Sequence, residues 1–406
     1  PKRRRKRKKK KKEKPEETGD GNRDAPASAG AGPGGSSPPP SEKADAAAEK
    51  HNDESKQGGM QHGGMSGGSD MGFMSMVRLT EHLPKGADGL PMERVKTPFG
   101  PFFPGLPSGL ALTLWLDGDT VARADVATHA LAGASVLDLS AGMGDLAERL
   151  ARHDPLAPAS YRRLAEAAGA AARSGQESSP TELRPVAALE LERAASHLNW
   201  LAGFGHLLGY VWLAQKASAW QLKLRTCPDV DHLASLEPEL LNVLRRVQRT
   251  PLLSRRLTGI GVLGRDDLDG VGGPVARASG LDRDARLDAP RYRSLAFEPV
   301  VRTEGDALAR LSVRLEEIRR SVALALAAHR SNGVADPSPP VERVETPRGA
   351  ASLRLRTNDD GIAEAELETP STTILPLVER VAVGLELADA LVAVASLDIS
   401  PWEVVR

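Results

Sequence analysis

The chain has 406 residues, 40% of them hydrophobic, which is enough for a substantial core, and its 54 basic and 54 acidic residues balance. A single cysteine, Cys227, excludes an intramolecular disulfide and fits a reducing compartment. No run of about 18 uncharged apolar residues occurs, so the sequence predicts no transmembrane helix, and no signal peptide is visible, which predicts a cytoplasmic protein.

Residues 1–72 are dense in Gly, Pro, Ser and Lys and almost free of large apolar side chains, so we expect a disordered tail. They carry 16 Lys and Arg against 11 Asp and Glu, which leaves 38 against 43 for residues 73–406. This mildly acidic balance argues against nucleic acid as the main partner of the folded part. Residues 2–12 are all basic, and we interpret them as a solvated tail; a segment that binds nucleic acid, an anionic membrane or a nuclear-import receptor is the alternative.

Residues 58–76 hold five of the seven methionines together with His62. Thioether and imidazole groups are ligands for copper(I), which makes a copper-binding tail one hypothesis. The spacing is irregular, however, and favours a flexible linker whose methionines adapt to a partner surface.

A β-hairpin is predicted over residues 98–126. Residues 110–116 alternate apolar and other side chains, Asp117, Gly118 and Asp119 form a turn, and TVARADV returns. The preceding segment, PFGPFFPGLPSG, is too rich in Pro and Gly for regular structure. We expect a shaped loop there.

Helical patterns dominate residues 127–335, which we interpret as a helical core. Residues 127–172 are rich in Ala and Leu at helical spacing, and residues 181–217 predict one long internal helix. A later helix begins at a Thr-Glu-Gly-Asp motif, in which Thr303 and Asp306 stand at the spacing of a capping box.

This later helix has an apolar stripe and a charged face. The stripe recurs at three- and four-residue steps and predicts core packing for Leu308, Leu311, Leu315, Ile318, Val322 and Leu326. The other face is expected to be solvated or to meet other subunits, and it contains Arg314, Glu316, Glu317, Arg319 and Arg320.

Residues 336–406 are predicted to form a second hairpin and a last helix. SLRLR and IAEAELE flank a turn at residues 358–361, and the helix covers about residues 377–395. With strands at both ends, the predicted fold class is α+β, a central helical bundle flanked by N- and C-terminal β-hairpin elements.

Six segments occur in the order that one protein family shows. They are TLWLDGDTVARADV, ELERAASHLNWLAGFGHLLG, LTGIGVLGRDDLDGVGGPVARASGLDRDARLDAP, VRTEGDALARLSVRLEEIRRS, ETPRGAASLRLRTNDDG and LADALVAVASLDISPWEV. Over most of residues 74–406, the chain resembles the quinone-side large subunit of NADH-quinone oxidoreductase (respiratory complex I), a family related to nickel-iron hydrogenase large subunits.

The resemblance implies a hydrogenase large-subunit-like fold in a membrane-associated NADH-quinone oxidoreductase-like or group 4 hydrogenase-related complex. The chain would form the quinone-side cavity and couple electron transfer to proton or ion pumping. Implied partners are a small iron-sulfur subunit, other peripheral-arm subunits and membrane antiporter-like subunits, on the cytoplasmic side of the inner membrane. The alternative is a structural, catalytically degenerate docking subunit that binds no quinone.

No cofactor is expected to be held by this chain itself. No phosphate-binding glycine motif occurs, so NADH and the iron-sulfur cluster are expected in partner subunits, and a quinone is the ligand that the resemblance implies. Hydrogenases hold their metal with two CxxC pairs, whereas this chain has one cysteine. Ser400 and Glu403 align with the last pair, and the earlier pair falls near Ala151 and Asp154, so no metal is expected.

The residues that bind quinone in the family depart here from the family pattern. The loop at residues 100–105 has no histidine, and the position of the family's cavity tyrosine falls near Arg152 or His153, with Tyr161 the nearest tyrosine. The candidate catalytic residues are therefore His153, Asp398 and Glu403. An imidazole in the cavity floor would exchange protons near neutral pH, whereas a solvent-facing histidine is the alternative.

A quinone-side polar network is predicted from Glu190, Arg193, His197, Arg277, Asp284 and Glu304. Glu190, Arg193 and His197 stand three and four residues apart, on one face of a helix. The alternatives are a structural Glu-Arg pair with a satisfied histidine, a loop network that only holds the shape of residues 284–288, and helix capping for Glu304.

Overall fold

The structure is a computed structural model that describes residues 83, 85, 89, 93–128, 145–172, 181–182, 184–330, 334–335, 343–358 and 361–404. These residues belong to one compact unit, Gly67–Arg406. The predicted tail, with its basic run and its methionine segment, lies outside the described residues. The domain boundaries drawn from the sequence stay predictions.

The described strands form two three-stranded antiparallel sheets and one two-stranded pair. The first sheet has the order β1 (Val95–Phe99), β2 (Leu110–Asp117), β3 (Thr120–Thr128). The pair joins β4 (Thr181–Glu182) to β5 (Val334–Ala335), and the second sheet has the order β6 (Arg343–Glu345), β7 (Ala350–Asn358), β8 (Gly361–Glu368).

The hairpin of β2 and β3 follows the alternation in the sequence. Leu110, Leu112 and Leu114 are buried because every second side chain of β2 faces the core. Asp117 pairs with Thr120 across the turn. β1 adds an edge strand that the alternation did not predict, with Pro98 in a position that an edge strand tolerates.

Twelve helices are described. They are α1 (Leu146–Ala151), α2 (Pro158–Ala172), α3 (Arg184–Leu207), α4 (Val211–Arg225), α5 (Val230–Gln248), α6 (Pro251–Leu257), α7 (Gly273–Ala278), α8 (Pro290–Arg293), α9 (Ala307–Arg330), α10 (Pro370–Ile374), α11 (Leu377–Ala382) and α12 (Leu387–Ser396). Within the described part of the chain, none of them is long and apolar enough to cross a membrane.

The main core lies where α3 packs along α4 and α9. Trp200 and Phe204 on α3 stack at 4.8 Å between ring centroids, and the Trp200 indole donates to the Ala395 carbonyl at the end of α12. On α9, Leu311, Leu315 and the rest of the predicted stripe are buried, apart from the half-buried Leu308. The protein is a mixed helix and sheet structure, as predicted, whereas the finer layout of a central bundle between hairpins stays an interpretation.

Two predicted long helices are wrong in extent. The helix predicted over residues 181–217 is divided into α3 and α4, because Gly209 takes a φ of +67° that ends the helix. The last helix is divided into α11 and α12 at Gly384, with a φ of +84°, where the chain bonds to Val121 of β3 instead. A periodic pattern does not reveal such breaks, since the apolar spacing resumes after them.

The start of α9 is capped differently from the expected capping box of Thr303 and Asp306. Asp306 itself caps α9, because its carboxylate accepts hydrogen bonds from the Ala309 amide at 2.7 Å and the Gly259 amide at 2.8 Å. The amide of Thr303 bonds to the carboxylate of Glu304.

The charged face of α9 is only partly solvated, contrary to the expectation. Glu316, Arg319 and Arg320 form ion pairs at the surface, whereas Arg314 and Glu317 are buried. A buried charge on a helix needs partners from other elements. Those partners lead to the candidate site.

Candidate functional site

A buried group of charged and phenolic side chains lies around the chain's last described residues. We call it the C-terminal cluster, and it consists of Asp154, Tyr161, Arg348, Asp398 and Glu403. Asp154 follows α1, Tyr161 lies in α2, Arg348 lies between β6 and β7, and Asp398 and Glu403 follow α12. Four separate chain segments therefore meet here.

Arg348 is the central cation of this cluster. Its Nη1 lies 2.9 Å from Asp154 Oδ2 and 3.9 Å from Glu403 Oε1. Its Nε donates to the Asp398 carbonyl at 3.0 Å and lies 3.5 Å from Asp398 Oδ1. Because all of these side chains are buried, the guanidinium compensates negative charge that water does not reach.

Glu403 holds its proton to unusually high pH. Burial raises the pKa of the Glu403 carboxyl to about 7, against the opposing effect of Arg348 and with help from the negative charge of Asp154. The Tyr161 hydroxyl donates to Glu403 Oε1 at 3.1 Å, and the Ser371 hydroxyl donates to Oε2 at 2.5 Å. The pKa of Tyr161 is raised by burial and by Glu403, so the phenol stays protonated.

His153 lies beside the C-terminal cluster. Its ring packs edge-on against the Tyr161 ring at 5.1 Å, and burial lowers the pKa of the imidazole despite the nearby Asp154 carboxylate. Among the described residues, His153 Nε2, Asp398 Oδ2 and Ser400 Oγ are buried without a hydrogen-bond partner. Such atoms are able to bond an incoming polar group.

Asp398 adopts a strained backbone conformation at the same place. Its φ is +60°, in the left-handed region that non-glycine residues rarely occupy. Arg348 bonds its carbonyl, and Arg314 Nε lies 3.6 Å from its Oδ2. Surrounding cations therefore help to hold the aspartate in this conformation.

A second buried group, the central charge cluster, lies between α3, α9 and the loops after α7. Its members are Glu190, Arg193, His197, Arg277, Asp284, Arg286, Glu317 and Glu345. Arg277 contacts Glu317 at 2.8 Å and both Asp284 and Glu345 at 2.9 Å. Arg286 contacts Asp284 at 2.7 Å and Glu317 at 2.8 Å.

The helix α3 contributes three side chains to this cluster, as the spacing predicts. Arg193 lies 3.4 Å from Glu190 and donates to the carbonyls of Glu345 and Thr346 at 2.7 Å. His197 Nε2 lies 2.9 Å from Glu317 Oε2. The three residues do share one face, and that face is completely buried.

The charges of the central cluster balance when one carboxyl is protonated. It has three arginines and four carboxyl groups, and burial keeps the pKa of His197 low, so that the imidazole is neutral. Although burial opposes it, Arg277 holds the pKa of Glu317 well below its ordinary value. Burial and the charge of Asp284 raise the pKa of Glu345 instead. Of the four carboxyl groups, Glu345 is the one whose pKa is shifted upward.

His197, a member of the central cluster, and Arg314 interact with charges of both clusters. His197 is bonded to Glu317 on one side, and the negative charge of Asp398 acts on its pKa from the other. Arg314 approaches Asp398 and also lies over the Trp200 ring, 4.4 Å from its centroid. The Nδ1 atom of His197 has no hydrogen-bond partner among the described residues.

The structure brings most of the predicted residues into these clusters. His153, Asp398 and Glu403 meet in one place, and Glu190, Arg193, His197, Arg277 and Asp284 meet in the other. Glu304 is exposed, and its carboxylate accepts a bond from the Thr303 amide.

Several members were missed by the sequence reasoning. The structure adds Glu317 and Glu345 to the central cluster, beside Arg286 of the predicted loop network, and it adds Arg348 to the C-terminal cluster, beside Tyr161. A signal existed for α9, where Arg310, Arg314, Glu317 and Ser321 recur at steps of four, three and four residues. That spacing describes a second, polar stripe facing the protein interior.

Glu192, on α3, has partners at the start of α2. Its carboxylate accepts bonds from the amide of Ala159 and from the amide and hydroxyl of Ser160, at 3.0 and 2.6 Å for the latter two. Burial raises its pKa to about 7. Glu192 thus caps the start of α2 from a neighbouring helix and positions Tyr161, the residue after Ser160.

The residues aligned with hydrogenase thiolates do not fit a metal centre. Asp154 and Glu403 have the Arg348 guanidinium beside them, and a fixed cation opposes a metal ion at the same place. Within the described ranges, no three His, Cys, Asp or Glu side chains are grouped so that they could hold a metal ion.

Comparison with known proteins identifies chains of similar sequence. Residues 219–332 match the family model "Respiratory-chain NADH dehydrogenase, 49 Kd subunit". A subunit of the NADH-quinone oxidoreductase of Desulfotalea psychrophila is 30% identical over 38% of this chain and 46% of its own length. The carbon monoxide-induced hydrogenase of Rhodospirillum rubrum is 32% identical over 42% of this chain and 51% of its own length.

A solved structure of the same fold comes from the membrane-bound sulfane sulfur reductase, an archaeal respiratory membrane complex. One chain of it superposes with a TM-score of 0.66 at 20% identity, over 76% of this chain and 98% of that one. At this identity the likeness concerns the fold alone. The chain spans about half the length of the curated relatives it matches.

Proposed function

This chain is a relative of the 49 kDa-type subunit of NADH-quinone oxidoreductase and of hydrogenase-related subunits, and from that premise we propose that it forms the quinone side of a membrane-associated oxidoreductase complex. Electrons would reach the quinone from an iron-sulfur cluster in a small partner subunit. NADH would bind to a further partner, since no nucleotide-binding motif occurs in this sequence.

The observation that carries the proposal is the buried hydrogen bond between Tyr161 and Glu403. Reduction of a quinone to a quinol takes two electrons and two protons, and the protons must come from groups near the carbonyl oxygens. Tyr161 would donate its proton to one oxygen, and the Glu403 carboxyl, bonded to it at 3.1 Å, would return a proton to the phenolate. The second proton would reach the other oxygen from water. A carboxyl with a pKa of about 7 suits such a relay at neutral pH.

His153 would serve the same reaction. Its Nε2 is buried and without a hydrogen-bond partner in the described part of the chain, and its ring contacts the ring of Tyr161. This arrangement supports a role in binding the quinone, where the family histidine on the loop of residues 100–105 is missing. Asp398 would hold the guanidinium groups of Arg348 and Arg314 in place, the first through its carbonyl oxygen and the second through its carboxylate.

The coupling role rests on the position of His197. The imidazole lies between the two clusters, bonded to Glu317 and subject to the charge of Asp398. A proton taken up near Glu403 would change the charge that reaches the central cluster, where burial and the charge of Asp284 raise the pKa of Glu345. Other peripheral-arm subunits and membrane antiporter-like subunits, on the cytoplasmic side of the inner membrane, would receive this signal.

The alternative function is that of a docking subunit without quinone chemistry. One observation favours it: the residues of the C-terminal cluster are at most 4% exposed, and their side chains bond to one another. Closed ion networks of this kind hold a fold together without any ligand.

Turnover of the intact complex separates the two functions. We expect Tyr161→Phe and Glu403→Gln to assemble into the complex and to reduce quinone at least about 100-fold more slowly, as for loss of a proton donor. Asp306→Asn is the matched control, because it neutralises a buried carboxylate whose role is to cap α9. Wild-type turnover in both test variants would leave the docking function.

A further inference from the structure

A basic surface pocket lies at the end of α5, away from both clusters. It has a volume of about 530 Å³ and is lined by Tyr210, Asn242, Arg245, Arg246, Arg249, Thr250 and Pro251. Six of these seven side chains carry a hydrogen-bonding group and three carry a positive charge, whereas none is acidic.

The sequence around the pocket is also rich in positive charge. From Leu240 to Arg265 the chain has six arginines and no Asp or Glu, although residues 73–406 as a whole are mildly acidic. Arginine in the last turn of a helix compensates the helix dipole, but one or two charges suffice for that. Arg256 is paired with Asp389, but the salt bridges of the described residues include none of the three arginines that line the pocket. These three charges are available to an anion from outside the chain.

The arginines are held in position rather than loosely solvated. The Arg246 guanidinium lies over the Trp212 ring, 4.1 Å from its centroid. The Arg245 guanidinium donates to Asn242 Oδ1 at 2.6 Å and to the Leu241 carbonyl at 3.3 Å. Stacked and bonded arginines lose less entropy when they bind an anion, and their planar donors match phosphate oxygens.

Exposed apolar side chains flank the same pocket. Leu252, next to the lining residue Pro251, is 79% exposed, and Val211, next to the lining residue Tyr210, is 56% exposed. A soluble phosphate compound makes no use of such a rim. A phospholipid does, because its acyl chains begin a few ångströms from its phosphate.

We propose that this arginine pocket binds the phosphate of an anionic phospholipid headgroup, with Leu252 and Val211 against the lipid's apolar part. The pocket would thereby orient this surface of the chain toward a membrane. The inference is independent of the quinone chemistry proposed above, since none of its residues belongs to either cluster.

Arginine modification by phenylglyoxal, read residue by residue with mass spectrometry on the full chain, locates the binding. Phosphatidylglycerol vesicles are expected to protect Arg245, Arg246 and Arg249, whereas phosphatidylcholine vesicles are not. Arg354 and Arg356, exposed on β7, report non-specific shielding and are expected to react as before. Equal protection of all five arginines would overturn the proposal.

Variants then measure what the pocket contributes. The triple variant Arg245→Gln, Arg246→Gln, Arg249→Gln is expected to bind phosphatidylglycerol vesicles about 100-fold more weakly. The control Arg123→Gln, Arg354→Gln, Arg356→Gln removes as many exposed charges and is expected to bind as the wild type does. The basic run of residues 2–12 is present in every variant, so its own attraction to the vesicles cancels. Equal loss in both triple variants contradicts a specific site.

Inorganic pyrophosphate and Leu252→Ser distinguish a lipid from a soluble phosphate. Leu252→Ser is expected to weaken binding to phosphatidylglycerol vesicles and to leave pyrophosphate binding unchanged. If pyrophosphate protects the three arginines as well as the vesicles do, and Leu252→Ser changes nothing, the ligand is a soluble phosphate and the lipid assignment is wrong. Capture of an acidic protein without any effect of vesicles would overturn it too.

Discussion

Glu403 is the side chain whose proton most directly reports on the candidate site. An unfolded chain releases the proton of a glutamic acid near pH 4.5, whereas the folded chain keeps that of Glu403 to about pH 7. Between those values the folded state binds more protons than the unfolded state. The contribution of Glu403 to the free energy of unfolding therefore falls as the pH rises from about 4.5 to about 7 and is constant above.

Glu403→Gln should remove this dependence. We expect the variant's free energy of unfolding, measured in urea, to increase relative to that of the wild type as the pH rises from 5 to 8. Glu316→Gln is the control: hydrogen bonds from Arg319 lower the pKa of Glu316, so its carboxyl is ionised in both states over this range and the difference from wild type should stay constant. An unchanged difference between Glu403→Gln and wild type over this range would mean that the carboxyl is ionised throughout.

Arg348 is the residue on which the C-terminal cluster depends for charge compensation. Arg348→Met leaves Asp154 buried without its cation and Asp398 with Arg314 alone, and removal of one partner of a buried pair costs about 3–5 kcal/mol. Arg354→Met, six residues further along the chain, breaks an exposed pair with Glu366 and should cost less than about 1 kcal/mol. Equal losses in equilibrium unfolding would show that the buried pairs contribute no more than surface pairs.

At the scale of elements, the loop between β1 and β2 is held against α3 by a close approach. Gly105 has a φ of +88°, and a Cβ there would lie 2.5 Å from the Cβ of Leu207. Gly118, in the turn between β2 and β3, has a φ of +60° but nothing within 4 Å of such a Cβ. Substitution of each glycine in turn therefore distinguishes the cost of backbone strain from the cost of a steric clash.

Gly105→Ala is expected to destabilise the protein by several kcal/mol, and Gly118→Ala by about 1 kcal/mol, because only the first adds a clash to the strain. Thermal unfolding of both variants measures the difference. Equal shifts in melting temperature would mean that the loop moves away from α3 without penalty.

The elements show what the sequence was able to predict. Alternation in β2 and β3 and the apolar stripe of α9 identified those elements, since one face of each meets the core. The breaks at Gly209 and Gly384 were missed, because the apolar spacing continues on both sides of each glycine. The polar stripe of α9 was assigned to the surface because charged residues are usually exposed, and only tertiary partners bury them.

At the scale of the whole molecule, the candidate site could be predicted only in part. Spacing on one helix is enough to place Glu190, Arg193 and His197 together. It is not enough for Arg348 and Asp154, which contact each other across 194 residues of chain. No pattern in the sequence indicates a contact of that length, so Arg348 and Glu345 became visible only in the folded chain.

The central claim is that Glu403 exchanges a proton near neutral pH within a fixed set of charges. Infrared titration of the full chain, which detects the carbonyl stretch of protonated carboxyl groups, measures this directly. We predict a band that disappears with a midpoint near pH 7. Part of this band should be absent in Glu403→Gln. The remaining part belongs to Glu192 and should be absent in Glu192→Gln. A spectrum of Glu403→Gln identical to that of the wild type throughout the titration would contradict the claim.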